Sequence, residues 1–158
     1  MSRFRYSMQS ILDIKLKMET QAKQEFSSAR GVLDGEEAKL KSLEDRKTAY
    51  EKKAEDLLEG TLNLREIEEN KTAILCMEDK IAGQQVQVRK AEDKLEKARL
   101  ALTAVMMERK THETLKDKAF EQFLMDEKKQ EGKEVDELTS YTYGQRRSQQ
   151  SEEEIPVS

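Results

Sequence analysis

The sequence is short of the residues that build globular cores. It contains no tryptophan, aromatic residues make up only 5%, and the single proline is Pro156. Hydrophobic residues reach 35%, below the roughly 45–50% of an ordinary globular domain. No run of about 18 apolar residues occurs, so we predict no direct membrane insertion. The composition therefore argues against both a conventional globular core and a membrane-spanning helix.

The chemistry of a catalytic or cofactor site is also missing. Cys76 and His112 are the only cysteine and the only histidine. A lone cysteine excludes an internal disulfide and fits a reducing compartment. One soft ligand of each kind cannot assemble a metal cluster, and no glycine-rich phosphate loop occurs. We predict a chain that is not an enzyme, with no cofactor, no metal and no small-molecule substrate.

Charge is abundant but balanced. The chain has 29 basic and 33 acidic residues, a net charge of −4, and no basic patch with interleaved aromatics, so nucleic acid is not a predicted partner. The start of the chain, residues 1–6, has no apolar stretch of the kind found in a signal peptide. We therefore expect a cytoplasmic protein. Interleaved charges of both signs suit a long helix that buries one narrow stripe.

In the first half, apolar residues recur at steps of three and four. Charged residues, Lys15, Glu36 and Lys47, fill the remaining positions of this stripe. The double step of four from Met18 through Ala22 to Phe26 predicts a stutter, which would locally unwind a supercoil. The apolar positions are Met8, Ile11, Met18, Ala22, Phe26, Ala29, Leu33, Leu40, Leu43, Tyr50, Ala54 and Leu57.

The second half carries an unbroken heptad pattern. Ten of its twelve predicted seam positions accept burial readily, and Gln84 and Arg109 can extend their polar ends to solvent. This pattern is typical of a coiled-coil seam. One seam position is filled by Ile74, Ile81, Val88, Leu95, Leu102 and Arg109, and the other by Met77, Gln84, Ala91, Ala98, Val105 and His112.

A stop signal and a start signal separate the two halves. Gly60 can adopt the left-handed conformation that ends a helix. Asn63 can cap the next helix, and Glu66 can complete a capping box. Because so short a connection makes neighbouring helices antiparallel, the two halves are predicted to fold back on each other. With the reversal near residues 61–62, the numbers of facing residues add to about 123, which sets Leu43 near Lys80.

The predicted fold is all-α, a single antiparallel coiled-coil hairpin over residues 1–143. Helix one spans about residues 5–58, the turn residues 59–63, and the longer helix two about residues 64–139. Residues 144–158 are predicted to be a disordered tail. The last part of helix two has no partner in the chain, yet it carries Phe120, Phe123, Leu124 and Met125, so something should cover it.

Three short motifs resemble those of the FliJ family of flagellar export proteins. Residues 4–13 are similar to the family's opening, in which aromatic and basic residues alternate before Leu-Gln, a hydrophobic pair and Asp. Residues 108–118 resemble its charged run, and residues 131–138 its close, with Gly132 in place of the usual Gln. The likeness covers about residues 4–138, nearly all of the predicted helical part.

The resemblance implies a coiled-coil stalk of the export apparatus, peripheral at the cytoplasmic face of the inner membrane. The implied partners are the flagellar export ATPase, its regulator, the cytoplasmic domain of the export gate, and export chaperones. The alternative is a generic structural coiled coil or holdase-type chaperone that self-associates. We expect the ATPase ring to contact the terminal residues Phe4, Tyr6, Ile11, Leu12, Phe120, Phe123 and Leu124.

The resemblance also implies a gate-binding stripe on the middles of both helices. In this sequence the stripe falls on Lys39, Leu43, Arg46 and Tyr50 of the first helix and on Ala73, Met77, Lys80 and Gln84 of the second. Of these positions, Leu43, Tyr50 and Met77 fit the family's pattern of apolar and aromatic residues. An equally open interpretation is that these three residues belong to the seam between the helices. Leu43 is expected in the seam, whereas the hydroxyl of Tyr50 favours an exposed edge.

Overall fold

The computed structural model describes residues 2–153, with the side chain of residue 153 left undescribed, and it contains two long helices. Helix α1 spans Gln9–Leu57 and helix α2 spans Leu64–Glu153, of 49 and 90 residues. No strand occurs within the described range. The predicted all-α fold, with two packed helices of which the second is longer, is confirmed.

The turn between the helices has the predicted stop and start. Gly60 has a φ of 76°, in the left-handed region where a side chain would be strained. The Oδ1 atom of Asn63 accepts hydrogen bonds from the backbone N–H groups of Arg65 at 3.1 Å and Glu66 at 3.4 Å. These bonds satisfy two of the free donors at the start of α2. The reciprocal bond from the Glu66 side chain stays a prediction.

The chain divides into two compact units, and Lys15–Arg109 forms the larger one. Its centre is a small apolar cluster of Leu33, Val88 and Ala91, against which Leu40 and Leu95 pack. The cluster joins residues of both helices and lies along one narrow stripe of each. A coiled-coil seam of this kind leaves the opposite faces of both helices in solvent.

The stripe of α1 in this unit is an unbroken heptad, which corrects one prediction. Met18 is exposed and Glu19 is buried in its place, so the predicted stutter does not exist. The sequence analysis followed apolar residues only, and Glu19 occupies a seam position because Arg109 neutralises it. The side chains that turn toward α2 are Lys15, Glu19, Ala22, Phe26, Ala29, Leu33, Glu36, Leu40, Leu43, Lys47, Tyr50, Ala54 and Leu57.

The stripe of α2 agrees with the predicted heptad. The eleven predicted seam residues that fall in this unit, from Ile74 to Arg109, are all buried or half-buried. Met77, Val88 and Ala91 are the most enclosed of them. The two polar members, Gln84 and Arg109, reach partners on α1 rather than solvent alone.

Polar bonds across the seam show that the helices are antiparallel in the predicted register. Near the turn, the Asn70 Nδ2 group donates to the backbone oxygen of Tyr50 at 3.0 Å. Midway along the seam, the Nε2 group of Gln84 donates to the backbone oxygen of Glu36 at 2.9 Å. Farther from the turn, Lys15 Nζ lies 2.7 Å from a carboxylate oxygen of Glu108.

The smaller unit contains residues 2–14 and residues 110–153. Helix α2 continues in it past residue 139, where the sequence analysis ended helix two, and through residues 144–153 of the segment predicted as a disordered tail. No proline interrupts this stretch, since the first one is Pro156. All side chains of residues 128–152 are exposed. Residues 154–158 of the predicted tail lie outside the described range.

Candidate functional site: an aromatic cluster on the terminal segments

A non-helical arm, residues 2–8, precedes α1, which begins at Gln9 rather than near residue 5 as predicted, and the arm packs along α2 within the smaller unit. The arm joins α1 through the backbone N–H of Gln9, which donates to the Tyr6 oxygen at 3.1 Å. The Ser2 hydroxyl donates to a carboxylate oxygen of Glu127. The arm is therefore held to α2 at its beginning and to α1 at its end.

Between these two points, three phenylalanine rings form a cluster. The ring of Phe4 lies 5.1 Å from that of Phe120, centroid to centroid, at an angle of 69°, and 5.4 Å from that of Phe123. Phe120 and Phe123 stack at 6.4 Å. Edge-to-face and offset pairs of this kind contribute about 0.5–1.5 kcal/mol each beyond area burial. Phe4 thus covers part of the segment of α2 that the sequence analysis left without a partner in the chain.

The cluster is only partly covered. Phe120 is 43% exposed, and its neighbours Leu124 and Met125 are 48% and 55% exposed. Phe123, Leu124 and Met125 line an open groove of about 630 Å³, whose rim is formed by charged residues including Glu121, Glu127, Lys128 and Glu131. An apolar floor with a charged rim is the arrangement of a protein-binding surface.

The remaining predicted residues of this unit differ in exposure. Leu12 is 3% exposed and belongs to the interior, whereas Ile11 is 37% exposed. Tyr6 is half-buried, and its hydroxyl oxygen is buried without a hydrogen-bond partner among the described residues. Leu12 therefore supports the packing of the unit, while Ile11 and the cluster offer surface to a partner.

The second set of predicted residues lies in the larger unit. Leu43 and Tyr50 are half-buried, and Met77 is 4% exposed. All three occupy seam positions, and whether they also contact the export gate stays a prediction. The Tyr50 backbone oxygen also accepts the bond from Asn70 that ties the helices together near the turn.

Sequence reasoning missed the most enclosed charged pair of the larger unit. Arg109 donates from Nε and Nη2 to the two carboxylate oxygens of Glu19, at 2.6 Å and 3.3 Å. The hydrogen bonds and positive charge of this guanidinium hold the pKa of Glu19 below its usual value, against the opposing effect of burial. The signal was the position of Glu19, seven residues before Phe26 in the heptad.

Within residues 2–153 no three His, Cys, Asp or Glu side chains are grouped so that they could hold a metal ion. In the same range no helix is long and apolar enough to cross a membrane. What the geometry does provide is apolar surface on long helices, which is suited to binding other proteins.

The fold and its surfaces define the chain as an antiparallel two-helix coiled coil with a partly covered aromatic cluster. A family model described as the flagellar FliJ protein matches residues 4–148. The chain belongs to the FliJ family and is a component of the flagellar, type III export apparatus. No curated protein matches the sequence.

A solved structure shares the fold. It is the structure of a putative YscO homologue from Chlamydia trachomatis, with a TM-score of 0.70 and 22% sequence identity. The alignment covers 92% of this chain and 99% of that one. The likeness extends over nearly the full length of both proteins and concerns the fold.

Proposed function

We propose that the chain acts by binding, as a stalk that inserts its terminal aromatic cluster into the ring of the flagellar export ATPase. The observation that supports this most is the Phe4–Phe120–Phe123 cluster with Leu124 and Met125 exposed beside it. Large apolar and aromatic side chains dominate the energetics of protein interfaces. Occupation of the ring axis by this surface would favour ring assembly and ATP hydrolysis without chemistry by the chain itself.

The proposal further assigns the chain a linking role. Held in the ring, it would contact the cytoplasmic domain of the export gate, and so lie at the cytoplasmic face of the inner membrane. The ATPase regulator and export chaperones are the other proposed partners. Tyr50 is the proposed gate anchor, because its half-buried side chain leaves part of its surface accessible to a partner, whereas Met77 is buried in the seam.

The ring contact is tested by ATP turnover of the export ATPase with and without the chain. The variant Leu124→Ser/Met125→Ser changes two exposed side chains beside the cluster, so it should fold normally and stimulate turnover far less. The matched control is Val86→Ser/Leu100→Ser, two exposed positions of the larger unit at 39% and 55%. Equal stimulation by both variants would exclude the aromatic cluster as the ring contact.

The gate contact is tested with the variant Tyr50→Ala, by a binding assay with the gate's cytoplasmic domain and by thermal melting. Tyr50→Ala should weaken binding more than its loss of stability explains, because an interface anchor is removed. If binding falls only in proportion to unfolding, Tyr50 is a structural residue and the gate contact lies elsewhere.

A further inference from the structure

The turn end of the hairpin exposes a group of leucines. Leu58, Leu62 and Leu64 are 66%, 55% and 74% exposed, and Leu75 on the first turns of α2 is 58% exposed. Single exposed leucines are ordinary on protein surfaces. Four within 18 residues, at the place where the chain reverses, form a concentrated apolar surface of the kind used for protein contacts.

A groove runs into this surface. It has a volume of about 360 Å³ and is lined by apolar side chains of both helices, among them Leu57, Leu58, Ile67, Ile74 and Leu75. This volume lies at the small end of the range for binding sites, so the groove can hold a few apolar side chains. The groove belongs wholly to the larger unit and does not include any residue of the aromatic cluster.

One polar residue lies among these apolar side chains. Asn70 is 5% exposed, and its Nδ2 group donates to the Tyr50 backbone oxygen, while its Oδ1 atom has no partner among the described residues. A buried acceptor without a partner costs free energy. An occupant that carries an N–H donor beside its apolar anchor, such as an indole, matches this lining.

The charge around the groove is predominantly acidic, although Lys71 contributes to its lining. Residues 55–69 contain six acidic residues and one basic residue, a net charge of −5, whereas the whole chain carries −4. All six carboxylates are exposed, and the single arginine, Arg65, is paired with Glu69 at 3.3 Å. An apolar groove with an acidic rim attracts a basic partner and repels an anionic lipid surface.

We propose that the turn end is a docking site for a basic amphipathic helix of a partner protein. The apolar face of this helix enters the groove between α1 and α2, and its Lys and Arg side chains meet the carboxylates of residues 55–69. The lining of this site does not include the terminal aromatic cluster or the seam residues Leu43, Tyr50 and Met77, although Asn70 in the lining is bonded to the Tyr50 backbone oxygen.

The probe is a fluorescein-labelled peptide of about 18 residues, five helical turns, with Leu and one Trp on one face and Lys on the other. Its anisotropy is titrated with the full chain. A matched peptide with Glu in place of Lys should bind at least about tenfold more weakly. Vesicles of phosphatidylglycerol should not sediment the chain, since their charge has the same sign as the turn.

Two variants locate the binding. Leu58→Ser/Leu62→Ser should weaken binding of the Lys peptide at least about tenfold, because the apolar contact is lost. The control Val86→Ser/Leu100→Ser should stay within about twofold of the unchanged chain, since surface changes away from the site have little effect. Glu55→Gln/Glu59→Gln/Glu68→Gln should weaken binding and reduce its dependence on salt.

Circular dichroism of each variant shows whether its helices are intact. If the Ser variant does not fold, the Gln variant, which retains every apolar side chain, still tests the site. Equal affinity of the Lys peptide for the unchanged chain and for the folded turn variants would overturn the proposal. So would binding to the anionic vesicles as strong as binding to the peptide, since a lipid surface would then be the preferred partner.

Discussion

Met77 offers a test of whether the seam residues stabilise the hairpin. Its side chain is 4% exposed, whereas Leu75, two residues earlier on the same helix, is 58% exposed. Truncation of a buried methionine to alanine costs about 2–5 kcal/mol. No described side chain of this two-helix structure is completely enclosed, so we expect the lower end, about 2 kcal/mol, for Met77→Ala.

Thermal and urea unfolding followed by circular dichroism give the measurement. For a chain of this length, about 2 kcal/mol corresponds to a fall in Tm of roughly 4–8 °C. Leu75→Ala should change the free energy of unfolding by less than about 0.5 kcal/mol, because that side chain stays in solvent. Equal losses for Met77→Ala and Leu75→Ala would show that Met77 is not a seam residue, and the packing described for α2 would be wrong.

Two further predictions concern the turn and the acid stability. Gly60→Ala should destabilise the chain by about 1 kcal/mol, because the φ of 76° at this position strains a residue with a side chain. Gly83→Ala within α2 should instead stabilise the chain by about 0.5–1 kcal/mol, because an added Cβ meets nothing within 4 Å there. Because Arg109 holds the pKa of Glu19 below 4.5, the pair contributes stability above that pH and loses it as the pH falls through the lowered value. In acid titrations of helicity, Glu19→Gln should remove this contribution, and an unchanged acid transition would contradict it.

Much of the fold was predictable because its signals are local. The heptad of α2 lies in one continuous segment, and Gly60 and Asn63 are residue types that end and begin helices. Together they fix the register of the two helices in the larger unit. The aromatic cluster does not follow from that register alone, because Phe4 lies outside α1, in the arm of residues 2–8.

The errors have two physical causes. Glu19 was excluded from the seam because an isolated buried carboxylate is unfavourable, and its partner Arg109 is 90 residues away. The end of α2 was placed too early because the side chains of residues 140–152 are all exposed, so apolar periodicity gives no signal there. The non-helical arm of residues 2–8 was also not predicted, since its conformation depends on contacts with α2 rather than on its own sequence.

The polar residues of the seam specify its register. Antiparallel helices with a repeating apolar stripe can slide by one heptad and still bury leucines. In this chain such a shift would move Glu36 from Gln84 to Met77 or Ala91, and would place a carboxylate or an amide against apolar side chains without a partner. The bonds of Asn70, Gln84 and Arg109 thus exclude the shifted arrangements, and the capped turn acts in the same direction.

A charge exchange tests this role for the farthest of these bonds from the turn. Glu19→Arg alone sets two guanidinium groups together, and Arg109→Glu alone sets two carboxylates together, so each should lower Tm. The double variant restores opposite charges at the same two positions and should melt above both single variants, because residues in contact do not act additively. If the loss in the double variant equals the sum of the two single losses, Glu19 and Arg109 do not interact across the seam, and the register would rest on the turn and the apolar stripe alone.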